Sequence, residues 1–156
     1  MRSTSGGILS ENRRAYHDFD IAETFEAGLV LSGAEVKSAK LGGISLKGGY
    51  VNFIDGRPVV VGMHIAPYAK APKSGLYNPT QTRYLLLNQG EMRKLYGLAS
   101  QKGVALVPLK VYVHGSRLKL EVGVGQGKKL YDKREALKRR DLEKEVAQEV
   151  KWQTRG

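Results

Sequence analysis

The sequence predicts a mainly β fold: a small antiparallel barrel of about six strands, two or three accessory helices, and a basic C-terminal tail. Three observations carry this. Of the 19 glycines, 17 lie in the first 125 residues, and none stands between Gly127 and Gly156. Two tight-turn signals, Asp55-Gly56 and His114-Gly115-Ser116, each join two β-forming runs. Finally, Leu118, Leu120, Val122 and Val124 alternate with Arg117, Lys119, Glu121 and Gly123. That period places one face in a core and the other, with Arg117 and Lys119, in solvent or on a ligand.

The elements follow in order. Phe25–Leu31 is rich in β-formers. Ser32-x-x-Glu35 is a capping box that opens a first helix, stopped by Gly42-Gly43. Tyr50–Ile54 and Pro58–Val61 flank the Asp55-Gly56 turn, and Tyr84–Leu87 is a further short strand. Asn88-x-x-Glu91 opens a second helix with Met92, Leu95, Tyr96 and Ala99 on one face and Gly103 past its end. Ala105–Val113 and Arg117–Val124 complete the body. Short strands with inserted helices favour an OB-like barrel, because closure removes exposed edges; a β-sandwich is the second choice. The chain divides into a flexible N-terminus (1–10), a barrel (11–125) and a tail (126–156). Gly123-x-Gly125-x-Gly127-Lys128 departs from a P-loop, since no Ser or Thr follows the lysine, and reads as a flexible exit from the last strand. The tail has good helix propensity but a sparse apolar stripe, so it is expected to be disordered when free and helical on a partner.

Charge is the strongest functional signal. There are 26 Lys and Arg against 15 Asp and Glu, a net charge of +11. Residues 1–125 hold 16 basic and 9 acidic residues, and residues 126–156 hold 10 and 6, so the tail is denser in charge. Such a balance suits a polyanion, with nucleic acid ahead of an anionic membrane. The absence of cysteine excludes a disulfide framework, a thiol nucleophile and a cysteine zinc site. No run of 18 apolar residues and no apolar leader segment is present, so a cytoplasmic chain that neither spans nor enters a membrane is expected.

Catalytic patterns are weak. His17, His64 and His114 show no ligand spacing, so no metal and no cofactor are expected. An RNA-acting enzyme using His17 with Glu26 or Glu35 as acid and base ranks far behind a binding role. Basic groups are better organised. Asn12, Arg13 and Arg14 with Tyr16 and His17 mix cations, an amide and aromatics, which suits phosphate contact and base stacking; an ordinary polar segment fits them equally well. Lys37 and Lys40 lie near the end of the first helix, where the helix dipole or an RNA would favour them. Lys128, Lys129, Lys133, Arg134, Lys138, Arg139 and Arg140 crowd seven cations between Gly127 and Arg140, beside Tyr131.

The strings ENRRAYHDFDI, FEAGLVLSGAEVKS, RYLLLNQGEM, VALVPLKVYV and GKKLYDKRE, in that order from Glu11 to Glu135, resemble the SsrA-binding protein (small protein B) family. The basic tail continues the likeness more loosely, and MRSTSGGILS lies outside it. The resemblance implies an OB-like barrel that binds the tRNA-like domain of transfer-messenger RNA (tmRNA). It implies delivery, with elongation factor Tu and GTP, to the vacant A site of a stalled bacterial ribosome, whose nascent chain is then tagged for degradation. It implies no catalysed reaction; a monomer is expected. The runner-up is a general RNA-binding OB protein, which would bind many RNAs alike with steep salt dependence.

Residue by residue, the family's RNA-binding positions match Asn12, Glu26, Leu86, Asn88 and Lys119. A carboxylate at Glu26 would accept hydrogen bonds from base or 2′-hydroxyl donors and so specify rather than attract; a plain surface strand position explains it too. Leu86 stands in a run of three leucines, where a core role is equally available. Asn88 is also the N-cap of the second helix. In the tail, Gly127, Lys128, Lys129, Asp132, Lys133 and Arg134 match the segment that reaches the decoding centre of the small ribosomal subunit. The residues beyond, including Lys138, Arg139 and Arg140, would lie as a helix in the empty mRNA channel. Tyr131 stands where many relatives carry histidine, and either ring stacks on a base. Val150 and Trp152 match more loosely and would pack on the ribosome; a solvated end residue explains Trp152 equally well.

Overall fold

The computed structural model describes residues 7–71 and 76–127. The elements are β1 (Ile8–Glu11), α1 (Arg13–Asp18), β2 (Phe19–Leu29), α2 (Gly33–Lys40), β3 (Ile44–Ser45), β4 (Tyr50–Ile54), β5 (Arg57–Val61), β6 (His64–Ile65), β7 (Arg83–Leu86), α3 (Gln89–Ala99), β8 (Val104–His114) and β9 (Arg117–Gly127). Seven strands form one antiparallel sheet in the order β1-β8-β9-β2-β7-β5-β4, and β3 pairs with β6 separately. The expected OB-like barrel, closed or nearly closed, is found in its nearly closed form. The sheet curls until β4 packs against β8, but no described ladder joins β4 to β1. The inner face holds Phe25, Ala27, Val60, Leu85, Val111, Leu118, Leu120 and Val122, and Leu95 of α3 plugs it.

Local chemistry explains the elements. At the β4–β5 turn, Asp55 and Gly56 take φ of 52° and 76°, the left-handed geometry that lets a two-residue turn follow the strand twist. In α2, Ser32 Oγ accepts from Glu35 N and Glu35 Oε1 accepts from Ser32 N, both at 3.1 Å. Glu35 is also buried against Arg83, whose guanidinium donates to Oε2 at 2.6 and 2.9 Å. Tyr77 and Gln81 donate to the same oxygen, tying the segment before β7 to α2. Burial pushes the Glu35 carboxyl up, but bonds from Ser32, Arg83 and Gln81 outweigh it and hold the pKa below the usual range. In α3, Tyr96 stays half exposed and meets Phe53 edge-on, while Leu98 packs inward in its place.

Four elements lie outside the expected set: the two-residue strands β3 and β6, and β1 and α1. β1 draws Ile8, Leu9 and Ser10 into the sheet against β8, so these residues of the span 1–10 are not a flexible terminus. α1 lies on the outer face, where Ala15 packs with Val107 and Leu109 and with Phe19, Ile21 and Ala105. The glycines of β9 are corrected as well. Gly123 and Gly125 are buried and paired on both sides, not a loose exit. A Cβ at Gly123 would lie 2.8 Å from Leu109 Cδ1, and one at Gly125 would lie 2.9 Å from the Asp20 carbonyl oxygen. They are small because the Leu109 side chain of β8 presses on the first and the start of β2 on the second. The expected helix of the tail falls on residues outside those described.

Candidate nucleic-acid interface

One irregularity divides the outer face of the sheet. β8 carries a bulge between Pro108 and Lys110, where an extra residue, Leu109, shifts the pairing with β9. Before it, Ala105 and Val107 face outward beneath α1. Beyond it, Lys110 stands opposite Glu121, and Tyr112 opposite Lys119. Asn12 secures this point: its backbone N–H donates to Leu109 O at 2.8 Å and its side-chain amide to Pro108 O at 3.0 Å. An Asn12 committed to the bulge leaves the α1 N-terminus without a side-chain cap.

The uncovered half of this face gathers three of the expected residues. Leu86 of β7 pairs with Gly28 of β2, Gly28 with Lys119 of β9, and Lys119 with Tyr112 of β8, in one row across the sheet. Glu26 stands in the next row, opposite Glu121. The leucine run resolves clearly: Leu85 is the core residue, at 4% exposure, and Leu86 is 58% exposed. Gly28 explains how Leu86 lies there, since a Cβ at Gly28 would touch Leu86 Cβ at 3.5 Å. The missing side chain opens a groove of about 380 Å³ between Leu86 and Lys119, with Leu29, Val36 and Arg117 among its walls.

Two like charges face each other at Glu26 and Glu121, an unfavourable cross-strand pair unless each has another partner. Both do. Glu121 lies 3.8 Å from Lys110 Nζ. Glu26 Oε2 accepts from the Tyr112 hydroxyl, and His114 Nδ1 lies 3.8 Å from the same oxygen. Tyr112 was not singled out from sequence, and His114 entered only as a turn residue and a histidine without ligand spacing; the outward period of β8 could have placed both on this face. Arg57 was missed too; its guanidinium lies 4.1 Å over the Tyr84 ring, beside Leu86 on β7.

The other expected residues stand around this face. Arg13, Arg14 and His17 are exposed on α1, with Arg14 3.2 Å from Asp18 and Arg13 3.6 Å from Glu11. A hydrogen bond from His17, then the charge of Arg14, holds the Asp18 carboxyl below its ordinary pKa. Burial, then Glu121 and Glu11, pushes the Tyr16 phenol up. Lys37 Nζ lies 5.8 Å from the Tyr68 ring centroid, and Lys40 is exposed at the end of α2. Asn88 caps α3, its Oδ1 accepting from Glu91 N at 2.8 Å. Gly127 is the last residue of β9 and pairs with Phe19. Lys128, Lys129, Tyr131, Asp132, Lys133, Arg134, Lys138, Arg139, Arg140, Val150 and Trp152 lie outside the described residues. Among the described residues no cluster of three His, Asp or Glu could hold a metal, and no helix is long and apolar enough to cross a membrane.

A family model described as SmpB protein matches residues 9–152, tail included. An SsrA-binding protein of Chloroflexus aggregans is 45% identical over 148 residues, covering 95% of this chain and 94% of that one. An SsrA-binding protein of Microcystis aeruginosa is 46% identical over 144 residues, covering 92% and 94%. Among solved structures, a chain from "tmRNA-SmpB: a journey to the center of the bacterial ribosome" aligns with a TM-score of 0.64 and 43% identity, over 78% of this chain and 84% of that one.

Proposed function

Because this chain belongs to the SmpB family, we propose that it is an RNA-binding adaptor of trans-translation, which binds tmRNA and brings it to stalled bacterial ribosomes. The observation that supports this most strongly is the open half of the outer face. There Leu86 and Lys119 share one row, Glu26 stands beside them, and a groove walled by Leu29, Val36 and Leu86 opens beside Arg117 and Lys119. Phosphate contacts would come from Lys119, Arg117, Arg13 and Arg14, and base-edge or 2′-hydroxyl contacts from Glu26. Asn12 would act through the bulge it secures. Asn88, the cap of α3, would serve as an RNA contact as well. Lys37, Lys40 and His17 would add contacts at the margin.

The domain division completes the reading. The body, residues 11–125, would hold the tRNA-like domain. The segment from Gly127 to Trp152 would probe the decoding centre and the empty mRNA channel. Folding of that segment would then be coupled to vacancy of the channel, so a ribosome carrying intact message would be passed over. Elongation factor Tu would act through the RNA. No covalent chemistry, cofactor or metal is needed for this task, and a cytoplasmic monomer suffices.

The test is binding to tmRNA at near-physiological salt with excess bulk tRNA as competitor. Tight binding that survives the competitor supports the adaptor. Binding that collapses would leave the +11 charge as its explanation and favour a general RNA binder. Deleting residues 128–156 is expected to keep tmRNA affinity and abolish tagging; loss of RNA binding on truncation would overturn the two-part reading.

A further inference from the structure

We infer that Glu35 and Arg83 are positioning residues: their buried ion pair pins the register of β7 and so fixes where Leu86 and Asn88 stand. This rests on the RNA-adaptor reading and adds to it two residues that act from inside the fold.

The register of a strand is ordinarily set by its apolar pattern, since a slip of one residue exchanges the two faces. In β7 that pattern is degenerate. Leu85 lies in the core, Leu86 is exposed, and Leu87 packs partly against the core. A slip of one residue would turn Leu86 inward and a neighbouring leucine outward, so the buried apolar area would hardly change. The ladders are short as well. β7 pairs with β2 through Leu86–Gly28 and Leu85–Leu29, and with β5 through Tyr84–Val59 and Arg83–Val60. β9, by contrast, is laddered along most of its length on both sides.

Arg83 removes the degeneracy. Glu35 and Arg83 are the two buried charged side chains among the described residues. Arg83 donates to Glu35 Oε2 through Nε at 2.9 Å and Nη2 at 2.6 Å. Its Nη1 donates to the Met63 and Gln81 carbonyls at 2.6 and 3.0 Å, and Nη2 also to the Pro79 carbonyl at 3.0 Å. Glu35 is fixed in turn, because its Oε1 accepts from Ser32 N at the start of α2. A one-residue slip would carry Arg83 to the outer face and strand the Glu35 carboxylate in the interior without its cation, which is strongly unfavourable. A two-residue slip would keep the faces but move the guanidinium by about 7 Å, beyond reach of all these partners. A buried ion pair adds little net stability over apolar residues of the same volume, and its best-attested use is to select one arrangement among near-equals. Asn88 stands two residues beyond β7 and caps α3, so the pin also sets where that helix starts.

The test uses the full chain with Glu35→Leu and Arg83→Met together, which removes both charges and strands neither. The measurements are the amide NMR spectrum of the free protein, its thermal midpoint and its tmRNA affinity. The expected result is a folded protein with a little-changed midpoint, doubled or exchange-broadened amide resonances at Tyr84, Leu85 and Leu86, and affinity lower by about tenfold. That loss corresponds to roughly one chain in ten in the native register. Arg83→Lys keeps the charge but loses the planar fork. It should show the same doubling with a smaller loss, about threefold, and it carries the test if the double variant does not fold. A merely structural pair would lower the midpoint, leave one set of resonances and leave the affinity of the folded fraction unchanged; that result would overturn the pin. So would doubled resonances with full affinity, which would detach the register from RNA binding. The spectrum of the free protein needs no RNA, so the two readings fail separately. If the unmodified protein does not prefer tmRNA over bulk tRNA, the adaptor reading fails; if it does and the folded variants keep one register, only the pin fails.

Discussion

The two halves of the outer sheet face share the same strands and differ in what covers them. Under α1, the residues are Ala105, Val107 and Leu109 with Phe19 and Ile21, and two buried glycines let the layers touch. Beyond the bulge they are Lys110, Tyr112 and Lys119, each partly exposed, and Glu26 and Leu86, both exposed. The first half has the chemistry of a core and the second that of an interface. The contrast separates stability from recognition within one sheet: changes under α1 should be read in folding, and changes in the open half in RNA binding.

The sharpest test of that division is Leu109→Ala. Leu109 is fully buried, and its truncation is expected to cost about 2–5 kcal/mol and to lower the thermal midpoint by roughly 10 °C. The RNA affinity of the folded fraction should stay the same; a parallel loss of affinity would merge the two halves. Next is Gly125→Ala, at about 1–3 kcal/mol, because the added methyl meets a backbone carbonyl that cannot turn aside. Gly123→Ala should cost less, since its neighbours are the tips of the Leu109 side chain. Combined with Leu109→Ala it should become nearly neutral or favourable, a coupling of about 1 kcal/mol readable by chemical denaturation. In the open half, Lys119→Ala is expected to weaken tmRNA binding about five- to tenfold and reduce the salt slope by about 0.7–0.9. Its stability should move by less than about 0.5 kcal/mol. The smallest effect belongs to Tyr112→Phe. Losing the hydroxyl frees the Glu26 carboxylate and should relax discrimination against bulk tRNA by about threefold, leaving the salt slope unchanged. If Tyr112→Phe also lowers affinity for every RNA equally, the tyrosine does more than orient Glu26.

What could be read from sequence follows the range of the interactions. The Asp55-Gly56 hairpin, the capped starts of α2 and α3, and the alternation in β9 are local, and each formed where expected. β1 and α1 escaped because they are short and weakly marked. α1 has six residues and no side-chain cap, and it exists because Ala15 finds an apolar patch assembled from β2 and β8. Whether the barrel closes fully or nearly so stayed open in the sequence, since closure between β1 and β4 depends on pairings between strands far apart in the chain. At the interface, the resemblance pointed to Glu26, Leu86 and Lys119 one by one. Their shared face, and the partners Tyr112 and His114, required the register of four strands.

The bulge at Leu109 has a consequence for how this chain tolerates change in length. Side chains of a strand alternate faces, and the extra residue is what lets Leu106 and Val111 both point into the core although an even number of residues lies between them. Deleting Leu109 would leave Pro108 followed by Lys110, a regular alternation against Val122 and Glu121, so Lys110 and Tyr112 would still face outward and Val111 inward. The loss would be the side chain that packs with Ala15 and Val107, and the kink that Asn12 secures. Deleting Val111 instead would turn Tyr112 toward the core and Val113 toward solvent, so a change of length in β8 is absorbed at the bulge and inverts the interface beyond it.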